Sequence, residues 1–282
     1  MRVIDNISGL KAIIRSQKTA GKTIGFVPTM GCLHEGHLSL VRASANENDF
    51  NVMSIFVNPT QFGINEDYDK YPRDFQGDYA KAESCGVDVL FTPTLAEMYP
   101  EGYSTFVEVT GDMADKLCGK SRPGHFRGVA TVVTKLFNQV EPNKAYFGQK
   151  DAQQAAIISK LVRELDLNVE VITCPIVREA DGLAMSSRNI YLNSEERKAA
   201  VELSASLFEA KARILAGERS AEKIMTEIRD KIAVKNMAGI EYIAVADAST
   251  LEDQKQITGK VLIALAVKFG NTRLIDNITL EV

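Results

Sequence analysis

Histidine is scarce in this chain. Only three occur among 282 residues, and two of them, His34 and His37, sit three positions apart in VPTMGCLHEGHLSLVRAS, from Val27 to Ser44. Val27 closes a short β-rich run that begins at Thr23; Pro28, Gly31 and Gly36 punctuate the turn after it, and Leu38, Val41 and Ala45 supply the apolar stripe of a helix. A strand-to-helix turn of this kind places the unpaired N–H groups of a helix start at the carboxyl end of a strand, where phosphate is favoured. Two imidazoles at that place can stabilise charge developing on a phosphate. Zinc-protease chemistry does not fit, because HExxH sets its histidines four apart around a glutamate base and His34-Glu35-Gly36-His37 is one residue short. The plainer alternative is a pair of capping or core histidines; clustering with glycines after a strand favours function. Gly21-Lys22-Thr23 is no phosphate loop, since that pattern needs a glycine where Ser16 stands, and the triplet precedes a strand.

Three further clusters carry polar chemistry. YFGQKDAQQ, from Tyr146 to Gln154, also begins at a strand end and opens a helix: Gly148 permits close backbone approach, Asp151 can cap the helix, and Lys150 is a mobile charge suited to phosphate. Gln154 comes one helical turn after Lys150, so its amide can share that site. DGLAMSSRN, from Asp181 to Asn189, packs Gly182, Ser186, Ser187 and Arg188 into a polar loop that reads as a lid clamping a polyphosphate. FVNPTQF, from Phe56 to Phe62, offers Asn58 and Gln61 as paired donors and acceptors, which can serve a ligand or the turn's own backbone. Tyr71-Pro72-Arg73 and Arg122-Pro123-Gly124-His125-Phe126 mix arginine with aromatic residues and receive no role from chemistry alone.

These clusters need elements to hold them. Runs at 23–27, 51–57, 87–91, 145–147 and 168–172 read as strands, and 38–45, 78–84, 129–140 and 151–165 as helices, with Gly86 placed to end the second helix in a left-handed conformation. Such alternation implies right-handed crossovers and an α/β architecture with a mostly parallel sheet covered on both faces. Later the rhythm changes to two long amphipathic helices, 194–215 and 220–234, and three strand-like runs, 241–245, 260–267 and 277–282, as in a small α+β domain with an antiparallel sheet. Ser194 reads as the cap of the first of these helices, with Arg197 where a capping box wants Glu. The boundary falls within 176–185, giving domains at 1–176 and 177–282.

Composition bounds the rest. With 45% hydrophobic and 25% charged residues the chain is of ordinary globular type, and a net charge of −4 gives no basic excess for nucleic acid or a membrane surface. The first fifteen residues lack the apolar stretch of a secretory signal, and the seven-residue run Val261 to Val267 is too short to span a bilayer. Cys32, Cys85, Cys118 and Cys174 form no CxxC pair, as in reduced thiols of a cytoplasmic protein.

VPTMGCLHEGH, FVNPTQF, YPR, RPGHFRGV, FGQKDAQQ, VREADGLAMSSRN and TRLIDN together, in this order from Val27 to Asn277, resemble the pantothenate synthetase family, ATP-dependent ligases that join pantoate to β-alanine. That family belongs to the HIGH-motif nucleotidyltransferases and shares a Rossmann-like core with class I aminoacyl-tRNA synthetases; HEGH is similar to the HIGH element and MSSRN to their mobile signature loop. The resemblance implies ATP contacts from Met30, Gly31, Cys32, Leu33, His34, Glu35, Gly36 and His37, from Gly148, Gln149, Lys150 and Asp151, and from Val177, Met185, Ser186, Ser187 and Arg188. It implies pantoate on Gln61 and Gln154, β-alanine near Gln61, and His37 as proton donor. His34, His37, Lys150 and Arg188 are then the catalytic set, chiefly stabilising phosphoryl charge. Asp78 aligns with an acidic residue near magnesium, which the ATP phosphates mainly hold. The implied course runs through a pantoyl adenylate with release of pyrophosphate and AMP, in a homodimer whose C-terminal domain acts as a lid, with Mg2+ and no tightly bound organic cofactor. The alternatives are a HIGH-type nucleotidyltransferase with another acceptor and a nucleotide-sensing module without turnover.

Overall fold

Strands buried on both faces belong inside a sheet covered by helices on each side, and the first half of the chain is built from them. The computed structural model describes residues 1–64, 66–233 and 238–282. In chain order the first elements are β1 (Arg2–Ile4), α1 (Ile7–Thr19), β2 (Ile24–Thr29), α2 (Glu35–Glu47), β3 (Phe50–Ile55), α3 (Phe75–Ser84) and β4 (Val89–Phe91). One-turn helices come next as α4 (Leu95–Met98), α5 (Asp112–Asp115) and α6 (Cys118–Ser121), then α7 (His125–Val140), β5 (Lys144–Gly148), α8 (Ala152–Glu164) and β6 (Glu170–Cys174). The remainder comprises α9 (Ser194–Ala200), α10 (Glu202–Leu215), α11 (Ala221–Ala233), β7 (Ala238–Asp247), β8 (Lys260–Phe269) and β9 (Thr272–Glu281).

The chain divides into two compact units. The first holds Met1–Val109, Arg122–Gly148 and Ile157–Pro175; the second holds Thr110–Ser121, Gln149–Ala156 and Ile176–Val282. In the first unit six strands form one sheet in the order β1-β4-β3-β2-β5-β6, every neighbouring pair parallel. The order reverses between β2 and β5: successive strands step one way from β2 and the other way from β5. Such a switch point opens a crevice at the carboxyl ends of its two strands, which here are Thr29 and Gly148. Phe26, fully buried on β2, meets Phe137 of α7 edge to face at 6.4 Å. The α/β reading of the sequence is met, as is the left-handed Gly86 two residues past α3, at φ +88.

Several details differ from the sequence reading. β1 and α1 are additional elements: Asn6 caps α1 by accepting from Gly9, and Leu10 and Ile14, one turn apart, are its buried face. β2 runs on through Pro28 to Thr29; its pairing with β5 stops at Phe26, so the missing proline N–H falls beyond that ladder. Asn193, not Ser194, caps α9, accepting from Glu195 and Glu196 while Glu196 returns a carboxylate to the Asn193 N–H, a complete capping box. The helix expected over 194–215 is broken at Val201, whose N–H turns to the Ala199 carbonyl.

In the second unit β7, β8 and β9 form an antiparallel sheet in that order, the small α+β arrangement expected. Leu203, Leu207 and Ile214 of α10 and Ile224 and Ile228 of α11 are buried in one cluster with Ile263, Leu265 and Val267 of β8. The end expected for the last helix, Val234, lies outside the described residues.

Gly128 shows how tightly the first unit holds its loops. A Cβ there would lie 2.3 Å from the Thr60 carbonyl oxygen and 2.6 Å from the Gln61 nitrogen, so only glycine lets α7 meet the turn Pro59–Gln61. Gly128→Ala is therefore expected to destabilise the protein by about 1–3 kcal/mol, the usual effect of an overpacked contact against backbone. Thermal unfolding measures it; an unchanged midpoint would mean that the turn yields freely.

Candidate active site

The segment that leaves β2 is shaped by one buried carboxylate. Asp78 of α3, 2% exposed, accepts the Cys32 N–H at 2.8 Å and the Leu33 N–H at 2.6 Å, one on each oxygen. Gly31 and Cys32 both take left-handed conformations, at φ +83 and +50, and a Cβ on Gly31 would stand 2.9 Å from an Asp78 oxygen. Glycine at 31 is thus required twice, by conformation and by space. Burial pushes the Asp78 carboxyl upward, and the hydrogen bonds from Leu33 and Cys32 only partly offset it. Lys81, one turn further on, donates to the Leu33 carbonyl at 2.7 Å. A carboxylate engaged in this way fits loop construction.

With Leu33 fixed, His34 becomes the cap of α2. Its Nδ1 accepts from the Gly36 N–H at 3.1 Å, while Nδ1 of His37 accepts from the His34 N–H at 3.3 Å. The pair is a capping box built from two imidazoles, with ring centres 4.1 Å apart. Capping and chemistry, set against each other in the sequence, are compatible here. A ring nitrogen that accepts carries no proton, so each ring holds its proton on Nε2 and offers that N–H as a donor at the positive end of a helix. Glu35 turns away to an exposed pairing with Arg42, which holds its carboxyl below the usual range.

Gln61 is 8% exposed, and its amide is oriented from both ends. Asn58 Nδ2 donates to its Oε1 at 3.0 Å, and its own Nε2 lies 3.1 Å from the Met30 sulfur. Its carbonyl accepts from Arg122 at 3.2 Å and from His125 Nδ1 at 2.8 Å. Since a carbonyl only accepts, His125 carries its proton on Nδ1, and its Nε2 then accepts from Arg122 at 3.0 Å. Glu66 pairs with the same guanidinium, at 2.7 Å from Arg122 Nε. Burial would raise the Glu66 carboxyl, but the Arg122 contact outweighs it and holds it low. Arg122 and His125, which chemistry alone could not assign, thus fix the main chain of Gln61. Asn58 accepts in turn from Tyr99 at 2.9 Å and donates to the Gly128 carbonyl at 3.1 Å.

In the second unit the turn Gln149–Asp151 carries Lys150, whose ammonium lies 3.7 Å from Asp151. Of the two glutamines after it, Gln153 is buried and engaged in structure: it accepts from the Cys118 N–H at 2.9 Å and donates to the Met113 and Lys116 carbonyls. Gln154 is half-buried. The segment from Val177 to Asn189 is a hairpin-like loop. Met185 N–H donates to the Val177 carbonyl, Glu179 N–H to Leu183, and Asn189 Nδ2 to Glu179 at 2.7 Å. Arg197 holds this loop through Glu179 at 2.8 Å and Asp181 at 2.7 Å. Ser186 Oγ accepts from the Arg188 N–H at 3.3 Å. Asn277, beyond reach of any local sequence signal, bonds to the main chain of Gln149 and Lys150.

Comparison with known proteins agrees across the whole length. The family model described as pantoate-beta-alanine ligase matches residues 2–279. The chain is 64% identical to the pantothenate synthetase of Acetivibrio thermocellus and 57% identical to that of Caldicellulosiruptor saccharolyticus, covering all of each protein. Among solved structures it is similar to the pantothenate synthetase of Thermus thermophilus, with a TM-score of 0.94, 42% identity and 99% of both chains covered. It is also similar to the pantoate-beta-alanine ligase of Francisella tularensis complexed with beta-gamma ATP and beta-alanine, with a TM-score of 0.80, 38% identity and 99% and 97% of the two chains covered. A match of this length and identity, on a fold whose first unit turns at β2 into a histidine-capped helix, makes this chain a member of the pantoate–β-alanine ligase family.

Proposed function

We propose that the chain condenses pantoate with β-alanine in a reaction driven by ATP. The observation that carries this is the origin of the two phosphate-suited stretches. The chain leaves β2 into 30–37 and leaves β5 into 148–151, the two strands that flank the switch point of the sheet. ATP is assigned to Met30 to His37, Gly148 to Asp151, Val177 and Met185 to Arg188. Pantoate is assigned to Gln61 and Gln154, and β-alanine to the neighbourhood of Gln61. The Francisella relative, solved with a nucleotide and β-alanine, supports the choice of ligands. Magnesium enters with ATP, held by its phosphates.

The first step needs no base. A pantoate carboxylate oxygen attacks the α-phosphorus, a new P–O bond forms, the bond to the bridging oxygen breaks, and pyrophosphate leaves. The carboxylate is already a nucleophile, so what the residues supply is electrostatic: Nε2–H donors from His34 and His37, the Lys150 ammonium and the Arg188 guanidinium. In the second step the neutral β-alanine amine attacks the acyl carbon, the bond from that carbon to the phosphate oxygen breaks, AMP departs, and the proton lost by the amine passes to solvent. The acyl group is proposed to stay on AMP as a bound acyl adenylate. A homodimer in the cytoplasm completes the reading, as do domains at 1–176 and 177–282; the break between Pro175 and Ile176 supports that boundary, while Thr110–Ser121 and Gln149–Ala156 group with the second unit. Among the described residues no helix is long and apolar enough to cross a membrane.

Turnover with ATP, D-pantoate and β-alanine, omitting each in turn, tests the reading. Product is expected only with all three present, and AMP is expected free in solution. Adenylate retained in the final product would favour a nucleotidyltransferase with another acceptor, and ATP binding without turnover a sensing module. The cap geometry adds a second test. His34→Ala loses both the cap and the imidazole, and is expected to lower stability by about 0.5–2 kcal/mol and turnover by roughly a hundredfold. His34→Asn keeps a good cap and loses only the ring, so stability should return while turnover stays low. Recovered turnover in His34→Asn would make His34 a cap and nothing more.

A further inference from the structure

TRLIDN, residues 272–277, has no part in the chemistry above, yet its last two residues are among the most heavily bonded side chains of the second unit. Both lie within β9, and both Asp276 and Asn277 are 2% exposed. A strand position favours β-branched or aromatic residues and is poor in Asp and Asn. β9 needs neither of them for its pairing, which runs through the backbone at Asp276↔Leu265 and Asn277↔Ala264.

Their side chains are engaged elsewhere. Asn277 Nδ2 donates to the carbonyls of Gln149 and Lys150, at 2.9 and 3.0 Å, and its Oδ1 accepts from Gln149 Nε2 at 3.0 Å. One amide thus fixes two consecutive peptide carbonyls and the side chain of the turn that carries Lys150. Thr279 takes a second contact from Gln149 at 3.1 Å. Asp276 grips Arg178 with both oxygens, at 2.6 and 3.0 Å, and accepts the Asn277 N–H at 2.7 Å. The same guanidinium donates to the Gly182 carbonyl at 3.1 Å, inside the loop that runs from Val177 to Arg188. A bidentate pair of this kind fixes direction as well as distance.

We infer that Asn277 and Asp276 are positioning residues for nucleotide binding, Asn277 by fixing the main chain beneath Lys150 and Asp276 by fixing, through Arg178, the loop of Val177 and Met185 to Arg188. This rests on the proposed assignment of those two stretches to ATP. The contacts of Asn277 and Asp276 fall on the two stretches assigned to ATP, so the larger effect is expected on the nucleotide.

A double-mutant cycle between Asn277 and Lys150 tests the inference, with Mg2+·ATP affinity measured by calorimetry alongside kcat and the KM values for ATP and pantoate. Asn277→Ala is expected to weaken ATP binding or adenylation by roughly ten- to a hundredfold, the scale of a misplaced catalytic group. The pantoate KM should stay near wild type. In a Lys150→Ala background the same substitution should have much less effect, because the ammonium that it misplaces is gone. A full, additive loss in that background, or wild-type ATP parameters in folded Asn277→Ala, would overturn the inference. If Lys150→Ala alone leaves ATP binding and turnover unchanged, the ATP assignment itself fails, and the inference with it. Should Asn277→Ala not fold, Arg178→Lys keeps a charge for Asp276 while losing the fork. It should show the same ATP-selective loss, and an equal loss for pantoate would count against the inference.

Discussion

The buried carboxylate of Asp78 is the contact on which the loop leaving β2 depends. It lies 46 and 45 residues along the chain from the two N–H groups that it accepts. Without that acceptor, consecutive donors at Cys32 and Leu33 would be left in a partly buried loop, and each unsatisfied buried donor costs about 1–3 kcal/mol. Everything downstream inherits the geometry: Gly31 must be glycine to pass Asp78, Leu33 sets the direction of entry, and His34 then falls at the cap of α2. Only from that position can each imidazole accept a backbone N–H on Nδ1 and keep Nε2–H as a donor.

The same logic recurs elsewhere: a residue from a distant element fixes the main chain of a candidate site residue. Arg122 and His125 bond to the Gln61 carbonyl, and Asn277 to the carbonyls of Gln149 and Lys150. Gln61 and Lys150 belong to loops, where backbone freedom is greatest, and long-range hydrogen bonds to their peptides remove it. Helix and sheet supply the frame; buried Asp, Asn, Arg and His supply the registration.

This division explains what is legible in the sequence. Strand and helix alternation, the antiparallel C-terminal sheet, and Gly86 as a helix stop can be read because period and turn chemistry are local signals. The cap of α9 shifts by one residue because Ser194 and Asn193 are both good caps, and only the return bond from Glu196 decides between them. β1 is three residues long, too short to show a period, and α1 is interrupted by polar residues; Leu10 and Ile14 at helical spacing are the available clue. No spacing rule connects Asp78 with Cys32, or Asn277 with Lys150. Contacts between side chain and distant backbone leave no periodic trace.

In the proposed reaction the acid substrate is activated on ATP as a bound acyl adenylate, so adenylation is complete before the amine is needed. Exchange of labelled pyrophosphate into ATP measures that directly. Exchange should appear with pantoate, ATP and magnesium in the absence of β-alanine, and should vanish without pantoate. Exchange that requires β-alanine, or a pantoyl label left covalently on the protein, would contradict a bound acyl adenylate.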